Sequence, residues 1–168
     1  MHSLESIKNL QRRGTKIGFI PLSPADDLSK QRPELIDRRT ILLPQATEAD
    51  KDAAYACASM VCLPSAAEAF GMVLVESWTH GVPVIASRIP ALTEIVDDGY
   101  DGLLVERETT RLASAIASLL ENPERAAIMG ARGKRKVEER FEWSRIGKDT
   151  EAFYEFLCHG VQSPNTCL

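Results

Sequence analysis

Short apolar runs alternate with longer amphipathic stretches along this chain, and the alternation predicts an α/β fold. The runs have the length of buried strands and occupy residues 16–22, 40–44, 60–63, 82–87 and 103–105. Apolar residues at helical spacing fill the stretches between them. Because strands that alternate with helices form parallel sheets with right-handed crossovers, we expect a doubly wound parallel sheet of about five strands.

Capping residues mark the boundaries of several predicted helices. Thr47 with Asp50 three residues later has the pattern of a capping box. Asn122 before Pro123 places an N-cap in front of a proline at the first helical position. The predicted helices are 3–13, a short or broken segment at 28–39, 48–58, 72–78, a short helix within 88–96, 111–121, 124–140 and a last one capped by Ser144. The C-terminal segment is therefore helical, and we expect a flexible tail at 161–168.

Composition and charge narrow the class of protein. A chain of 168 residues with 44% hydrophobic residues suits one domain with a substantial core. Its net charge of −4 gives no reason to expect nucleic acid or an anionic membrane as a partner. No apolar run in the sequence is long enough for a transmembrane segment and the first residues do not resemble a signal peptide, so we expect a cytoplasmic protein. The 4 cysteines and 3 histidines lack metal-binding spacing, and no metal site is predicted.

The strongest chemical signal follows the third apolar run. Glu68 and Glu76, with seven residues between them, stand at a predicted strand-to-helix junction that also contains Gly71. Ligands of α/β sheets bind beyond the carboxyl ends of the strands, and N–H groups at a helix N-terminus attract anions. Carboxylates beside such an anion would accept hydrogen bonds from neutral hydroxyls, which a nucleotide sugar has on both sides of its diphosphate. The structural alternative is that Glu68 stabilises the helix dipole and Glu76 is solvated.

Several short motifs around this junction resemble one known family. They are Pro64-Ser65, Glu68-Ala69-Phe70-Gly71, Glu76, 81–87, 94–96 and 99–105. In this order and spacing they resemble the C-terminal, donor-binding half of a retaining GT-B glycosyltransferase of the family-four, or glycosyl transferases group 1, type. The resemblance is strong over about residues 40–106. It implies that residues 1–160 form a Rossmann-like, nucleotide-sugar-binding domain, half of a GT-B fold, from which the N-terminal acceptor domain is absent.

The resemblance also implies roles for the residues of the junction. Glu68 would face the hydroxyls of the donor sugar as the catalytic residue, and Glu76 would hold the nucleotide ribose. Backbone N–H groups around Phe70, Gly71 and Met72 would contact the sugar and the diphosphate. Three further residues complete the predicted donor-binding set: Ser65, Ala69 and Val73. The implied reaction transfers a hexosyl group from a nucleoside-diphosphate sugar to an acceptor, with no metal and no cofactor.

The sequence departs from the family pattern at its N-terminal side. The family's donor domain begins with a Gly-Arg strand end and a lysine, whose charges stabilise the leaving diphosphate and which by spacing would precede Met1. Arg12, Arg13 and Lys16 lie elsewhere and take no such role. We therefore expect a half-enzyme that is inactive alone, whether an isolated domain, a truncated gene product or one subunit of a split enzyme. The alternatives are a non-catalytic interaction or nucleotide-sugar-binding module and, less favoured, a GT-B-type epimerase.

The sequence also leads to expectations about binding partners and about the roles of the other positively charged residues. A separate acceptor-binding domain or subunit is one expected partner, and self-association through the bared interdomain face and the aromatic last helix is another. Arg88 stands where the family often has a glycine-rich turn, and it is either a replacement for the missing positive charge or an ordinary surface arginine. A basic cluster lies in the helix predicted at 124–140 and consists of Arg132, Lys134, Arg135 and Lys136. We favour a solvated helix face for this cluster over a phosphate-binding site.

Overall fold

The computed structural model of the chain describes Pro33, Ile36, and residues 39–42 and 46–160, without the side chains of residues 159 and 160. The predicted helix at 3–13, the predicted strand at 16–22 and the tail at 161–168 lie outside the described residues. Most of the predicted segment at 28–39 also lies outside them. In the described part of the second predicted strand, Thr40 forms an isolated β-bridge, and Ile41 and Leu42 are not in a strand.

Three parallel strands form the sheet within the described residues. They are β1 (Val61–Leu63), β2 (Val84–Ser87) and β3 (Gly102–Val105), in the order β1-β2-β3. Val84 pairs with Val61 on one side and with Gly102 on the other, which makes β2 the central strand. The α/β class with a parallel sheet is confirmed, whereas the expected count of about five strands is wrong for the described part of the chain.

Six helices accompany these strands in the described part of the chain. They are α1 (Glu48–Cys57), α2 (Met72–Thr79), α3 (Pro90–Thr93), α4 (Thr109–Leu120), α5 (Pro123–Arg140) and α6 (Trp143–Gly160). Two caps are as predicted: the amide of Asp50 donates to Thr47 Oγ1 at 3.2 Å, and the amide of Arg125 donates to Asn122 Oδ1 at 3.1 Å. The prediction for Ser144 is wrong, because α6 begins one residue earlier, at Trp143.

Helices pack on both faces of the sheet, which is why β2 is hydrophobic at every position but its last. Ile85 lies in a core cluster with residues of α4, including Leu112 and Ile116. Val84 and Ala86 point the other way and lie in a cluster with residues of α2, including Trp78. A parallel strand that is covered on both faces has no polar side, so its sequence does not alternate. The doubly wound arrangement predicted from the sequence is present around β2.

Trp78 is the centre of the contact between α2 and α5. Its side chain is fully buried, and its indole Nε1 donates to the backbone oxygen of Asp101 at 3.1 Å. Gly133 of α5 lies directly against the indole ring, so that a Cβ at this position would overlap ring atoms. The two helices therefore approach closely at this point because residue 133 has no side chain.

Gly133→Ala is expected to lower the free energy of unfolding by about 1–3 kcal/mol, since the added methyl group must displace the fully buried ring of Trp78. Gly147→Ala on α6 is the matched control, because nothing lies within 4 Å of a Cβ there. The control should be neutral or more stable by up to about 1 kcal/mol, as alanine favours helix more than glycine does. Urea unfolding of both variants tests the contact, and equal stabilities would contradict it.

Lys136 is the exception to the expected solvated basic face on α5, since Lys134 and Arg135 of that cluster are exposed. It is only 8% exposed, and its Nζ donates to the backbone oxygen of Ile95 at 2.9 Å. The same ammonium pairs with Asp97 at 2.7 Å and with the fully buried Asp101. Burial raises the pKa of Asp101, with Lys136 opposing that shift, while the hydrogen bond from Lys136 lowers the pKa of Asp97. Lys136 therefore anchors α5 to the turn before β3.

Candidate functional site

The loop from β1 to α2 lies at the carboxyl edge of the sheet and carries the first predicted glutamate. Ser65 Oγ donates to Glu68 Oε1 at 2.6 Å, and both side chains are partly buried. A short hydrogen bond to a carboxylate fixes its orientation more firmly than a neutral pair would. The two predicted residues therefore form one unit, in which Glu68 is held three residues after the strand-end serine.

Gly71 opens α2 in a conformation that favours glycine. It is the N-cap residue, it is buried, and its φ of 82° lies in the left-handed region. A Cβ at Gly71 would lie 2.7 Å from Leu92 Cδ2, so space is also limited. No side chain among the described residues caps this end of α2. The first amide groups of the helix, beginning with Met72, thus remain available to an anionic ligand.

Glu76, the second predicted glutamate, lies one turn inside α2 and has a partner that the sequence did not indicate. The hydroxyl of Tyr55, on α1, donates to Glu76 Oε2 at 2.7 Å. Tyr55 is only 3% exposed, and burial, followed by its bond to Glu76, raises its pKa well above the ordinary value. The sequence offered one signal that could have singled out Tyr55: it is the only aromatic residue of α1.

The other predicted site residues differ in their exposure. Phe70 is 38% exposed and makes an edge-to-face contact with Phe141, with ring centroids 5.7 Å apart. Met72 is 56% exposed at the start of α2, and Ala69 beside Phe70 is also exposed. Val73 instead packs against a core cluster that contains Tyr55. The structure thus places Ser65, Ala69 and Met72 around the opening of α2, while Val73 faces inward.

The guanidinium of Arg88 forms ion pairs with acidic neighbours. It pairs with the Asp98 carboxylate, lies 3.7 Å from Glu106 Oε1 and donates to the backbone oxygen of Leu104 at 2.9 Å. Burial tends to raise the pKa of Asp98, but hydrogen bonds from the Leu104 amide and from Arg88 outweigh it, and the pKa is lowered. The charge of Arg88 is therefore paired beside β3, which fits the ordinary surface arginine; a role in replacing the missing positive charge stays a prediction.

The described residues lack two further kinds of feature. In that part of the chain, no group of three or more histidine, cysteine, aspartate or glutamate side chains is placed to bind a metal ion. None of the helices described has the length and apolar character needed to cross a bilayer.

The sequence matches one protein family, described as glycosyl transferases group 1, over residues 27–136. D-inositol 3-phosphate glycosyltransferase from Saccharomonospora viridis is 39% identical over 111 residues, which are 66% of this chain and 26% of that protein. The chain spans about a quarter of the length of the curated relatives it matches.

Solved structures with a similar fold include two carbohydrate-related proteins. Sucrose-phosphate synthase from Thermosynechococcus elongatus has a TM-score of 0.80 at 24% identity, covering 95% of this chain and 43% of that one. Anabaena Alr3699/HepE, crystallised in complex with UDP, has a TM-score of 0.77 at 24% identity, covering 92% of this chain and 44% of that one. At these identities the likeness establishes the fold alone.

Proposed function

The chain belongs to the glycosyl transferases group 1 family and has the α/β Rossmann-like fold of GT-B glycosyltransferases, and on this basis we propose that it is the donor-binding half of a retaining glycosyltransferase. The substrate is a nucleoside-diphosphate sugar, from which a hexosyl group passes to an acceptor. The chain spans about a quarter of its curated relatives, so the acceptor site is assigned to a separate domain or subunit. Alone, the chain binds the donor without transferring the sugar.

The opening of α2 is the observation that supports this proposal. Its amino terminus, which no described side chain caps, suits a diphosphate, because exposed amide groups and the helix dipole both favour negative charge. Glu68, oriented by Ser65, precedes this terminus in the chain, and Glu76 follows it by one turn. Carboxylates can only accept hydrogen bonds, so they suit the neutral hydroxyls of the sugar and the ribose. A structural neighbour that was crystallised with UDP supports the same ligand class.

The proposed chemistry assigns each part of the donor to a group of this chain. The bond between the sugar C1 and the diphosphate oxygen breaks, and an acceptor hydroxyl forms the new bond to C1 on the same face as the departing group. The proton of that hydroxyl passes to the leaving diphosphate. The amides at the start of α2, including that of Met72, stabilise the negative charge that develops on the leaving diphosphate. Glu68 holds the sugar hydroxyls and Glu76 the ribose. No metal ion is required in this scheme.

A non-catalytic interaction module is the second candidate function. The observation that favours it is the exposed aromatic surface of α6, where Trp143 is 84% and Phe156 is 71% exposed. Large exposed apolar surfaces mark interaction sites. This function would not use the opening of α2, so Glu68→Ala should leave partner binding unchanged.

Calorimetric titration with uridine, guanosine and adenosine diphosphate sugars tests the donor site. We expect one donor class to bind, and Glu68→Ala and Glu76→Ala each to weaken binding by about 1–3 kcal/mol, or roughly 5- to 150-fold, through lost hydrogen bonds. Glu121→Ala is the matched control, because this exposed glutamate follows α4 at the opposite edge of the sheet. A folded parent chain that binds none of the donors would refute the proposal and favour the interaction module.

A further inference from the structure

We infer that Tyr55 is a positioning residue of the donor site, which orients the Glu76 carboxylate for the ribose and thereby sets a preference for ribonucleotides over deoxyribonucleotides. This inference rests on the proposed function, because it assumes that Glu76 contacts the ribose. Tyr55 itself touches Glu76 and not the ligand. Its effect on binding therefore passes entirely through the orientation of one carboxylate.

Among the described residues, the hydrogen bond from Tyr55 involves only one oxygen of the Glu76 carboxylate. Tyr55 donates to Glu76 Oε2 at 2.7 Å, and no other described side chain donates to this carboxylate. Glu76 is only partly buried, so its side chain keeps some exposure to solvent. Since a carboxylate accepts and never donates when ionised, Oε1 is suited to a hydroxyl that donates to it. The paired 2′ and 3′ hydroxyls of a ribose supply such donors.

The phenol ring of Tyr55 is held from a second side, so the hydroxyl cannot swing away. The ring stacks on His80, with centroids 5.5 Å apart and 18° between the planes. His80 Nε2 lies 3.3 Å from Asp52 Oδ1. Asp52 and Tyr55 are one turn apart on α1. Glu76 lies on α2 and His80 is the C-cap residue of that helix, so the two contacts join α1 to α2 and to its C-terminal end.

Packing of Tyr55 in the core also holds its side chain in place. Tyr55 is 3% exposed and lies in a cluster with Val61 of β1 and with Val82, which precedes β2. A side chain that is already fixed loses little conformational entropy when the ligand binds. The carboxylate of Glu76 is therefore oriented before the nucleotide arrives. The pKa of a tyrosine hydroxyl is ordinarily well above neutral pH and burial raises that of Tyr55 further, so this hydroxyl remains a hydrogen-bond donor.

Tyr55→Phe tests the inference, because it removes the hydroxyl and keeps the ring that packs on His80. The probes are UDP and 2′,3′-dideoxy-UDP, titrated into the parent chain and the variant. We expect the affinity for UDP to fall about 3- to 10-fold, which is the range for one lost hydrogen bond, with no change for dideoxy-UDP. In the Glu76→Ala background, Tyr55→Phe should have no further effect. Tyr100→Phe, which removes a half-exposed hydroxyl elsewhere, should bind both probes as the parent does.

The outcomes separate failure of the inference from failure of the proposed function. If the parent does not bind UDP, or Glu76→Ala binds it as well as the parent, both are overturned. If Glu76→Ala weakens binding but Tyr55→Phe does not, only the positioning role is overturned. Equal losses for UDP and dideoxy-UDP would show a merely structural role and also overturn it. Should Tyr55→Phe fail to fold, His80→Ala removes the stacking partner and must reduce the same UDP preference for the inference to stand.

Discussion

Replacing Lys136 by methionine is expected to lower the free energy of unfolding by about 3–5 kcal/mol, the usual cost of removing one partner of a buried ion pair. The substitution preserves most of the volume and removes the ammonium group that bonds to the Ile95 oxygen and pairs with Asp97 and Asp101. Asp101 is fully buried, so its carboxylate would lose its compensating charge without gaining water. Urea unfolding at neutral pH measures the loss.

The pH dependence of this loss identifies Asp101 as its cause. Without Lys136, burial raises the folded-state pKa of Asp101 further above the unfolded value. A group with a raised folded-state pKa contributes stability at low pH and loses it as pH rises through that pKa. The Lys136→Met defect should therefore be smaller at pH 4 to 5, roughly the region just above the ordinary pKa of aspartate, than at pH 7.

Two further variants complete the test of Lys136. Adding Asp101→Asn to Lys136→Met removes the stranded charge while keeping an acceptor for the Asp97 amide, which donates to Asp101 Oδ1 at 2.9 Å. The double variant should recover part of the lost stability. Lys134→Met, at an exposed position of the same helix, should change stability by no more than about 0.5 kcal/mol. Equal effects at positions 134 and 136 would contradict the role of Lys136 as a buried anchor.

Local signals explain why much of the fold could be predicted from the sequence. The capping pair Thr47 and Asp50 is separated by three residues, so both partners are visible in one short window. The same holds for Ser65 and Glu68, whose contact places the first glutamate at the strand end. The apolar run of β2 showed that both faces of the strand are covered. These features depend on neighbours along the chain and need no knowledge of how helices pack.

Contacts between distant segments explain what the sequence did not indicate. Tyr55 and Glu76 are 21 residues apart, and their hydrogen bond depends on the relative rotation of α1 and α2. Lys136 is separated from its carbonyl partner by 41 residues, so its position among basic neighbours suggested a solvated face. The acidic partners of Arg88 could not be read from the sequence for the same reason, since Asp98 and Glu106 come near it only after the turn before β3 has folded back. Pairing across the fold, and not residue type, decides the role of each charge.

Gly71→Ala is expected to lower the free energy of unfolding by about 2–5 kcal/mol and to weaken nucleotide binding. The φ of 82° at Gly71 costs an alanine about 1–2 kcal/mol. The new methyl group would also lie 2.7 Å from Leu92 Cδ2, and crowding of this kind adds about 1–3 kcal/mol. Any backbone shift that relieves the contact moves the first amides of α2, which is the part of the site assigned to the diphosphate.

Gly99→Ala separates these two costs, because Gly99 has a similar φ of 78° but nothing lies within 4 Å of a Cβ there. It should lose only the backbone term of about 1–2 kcal/mol and should bind a nucleotide as the parent does. Urea unfolding and UDP titration of both variants provide the comparison. Equal stability losses would mean that Leu92 yields at no cost, and unchanged UDP affinity in Gly71→Ala would mean that the opening of α2 does not hold the diphosphate.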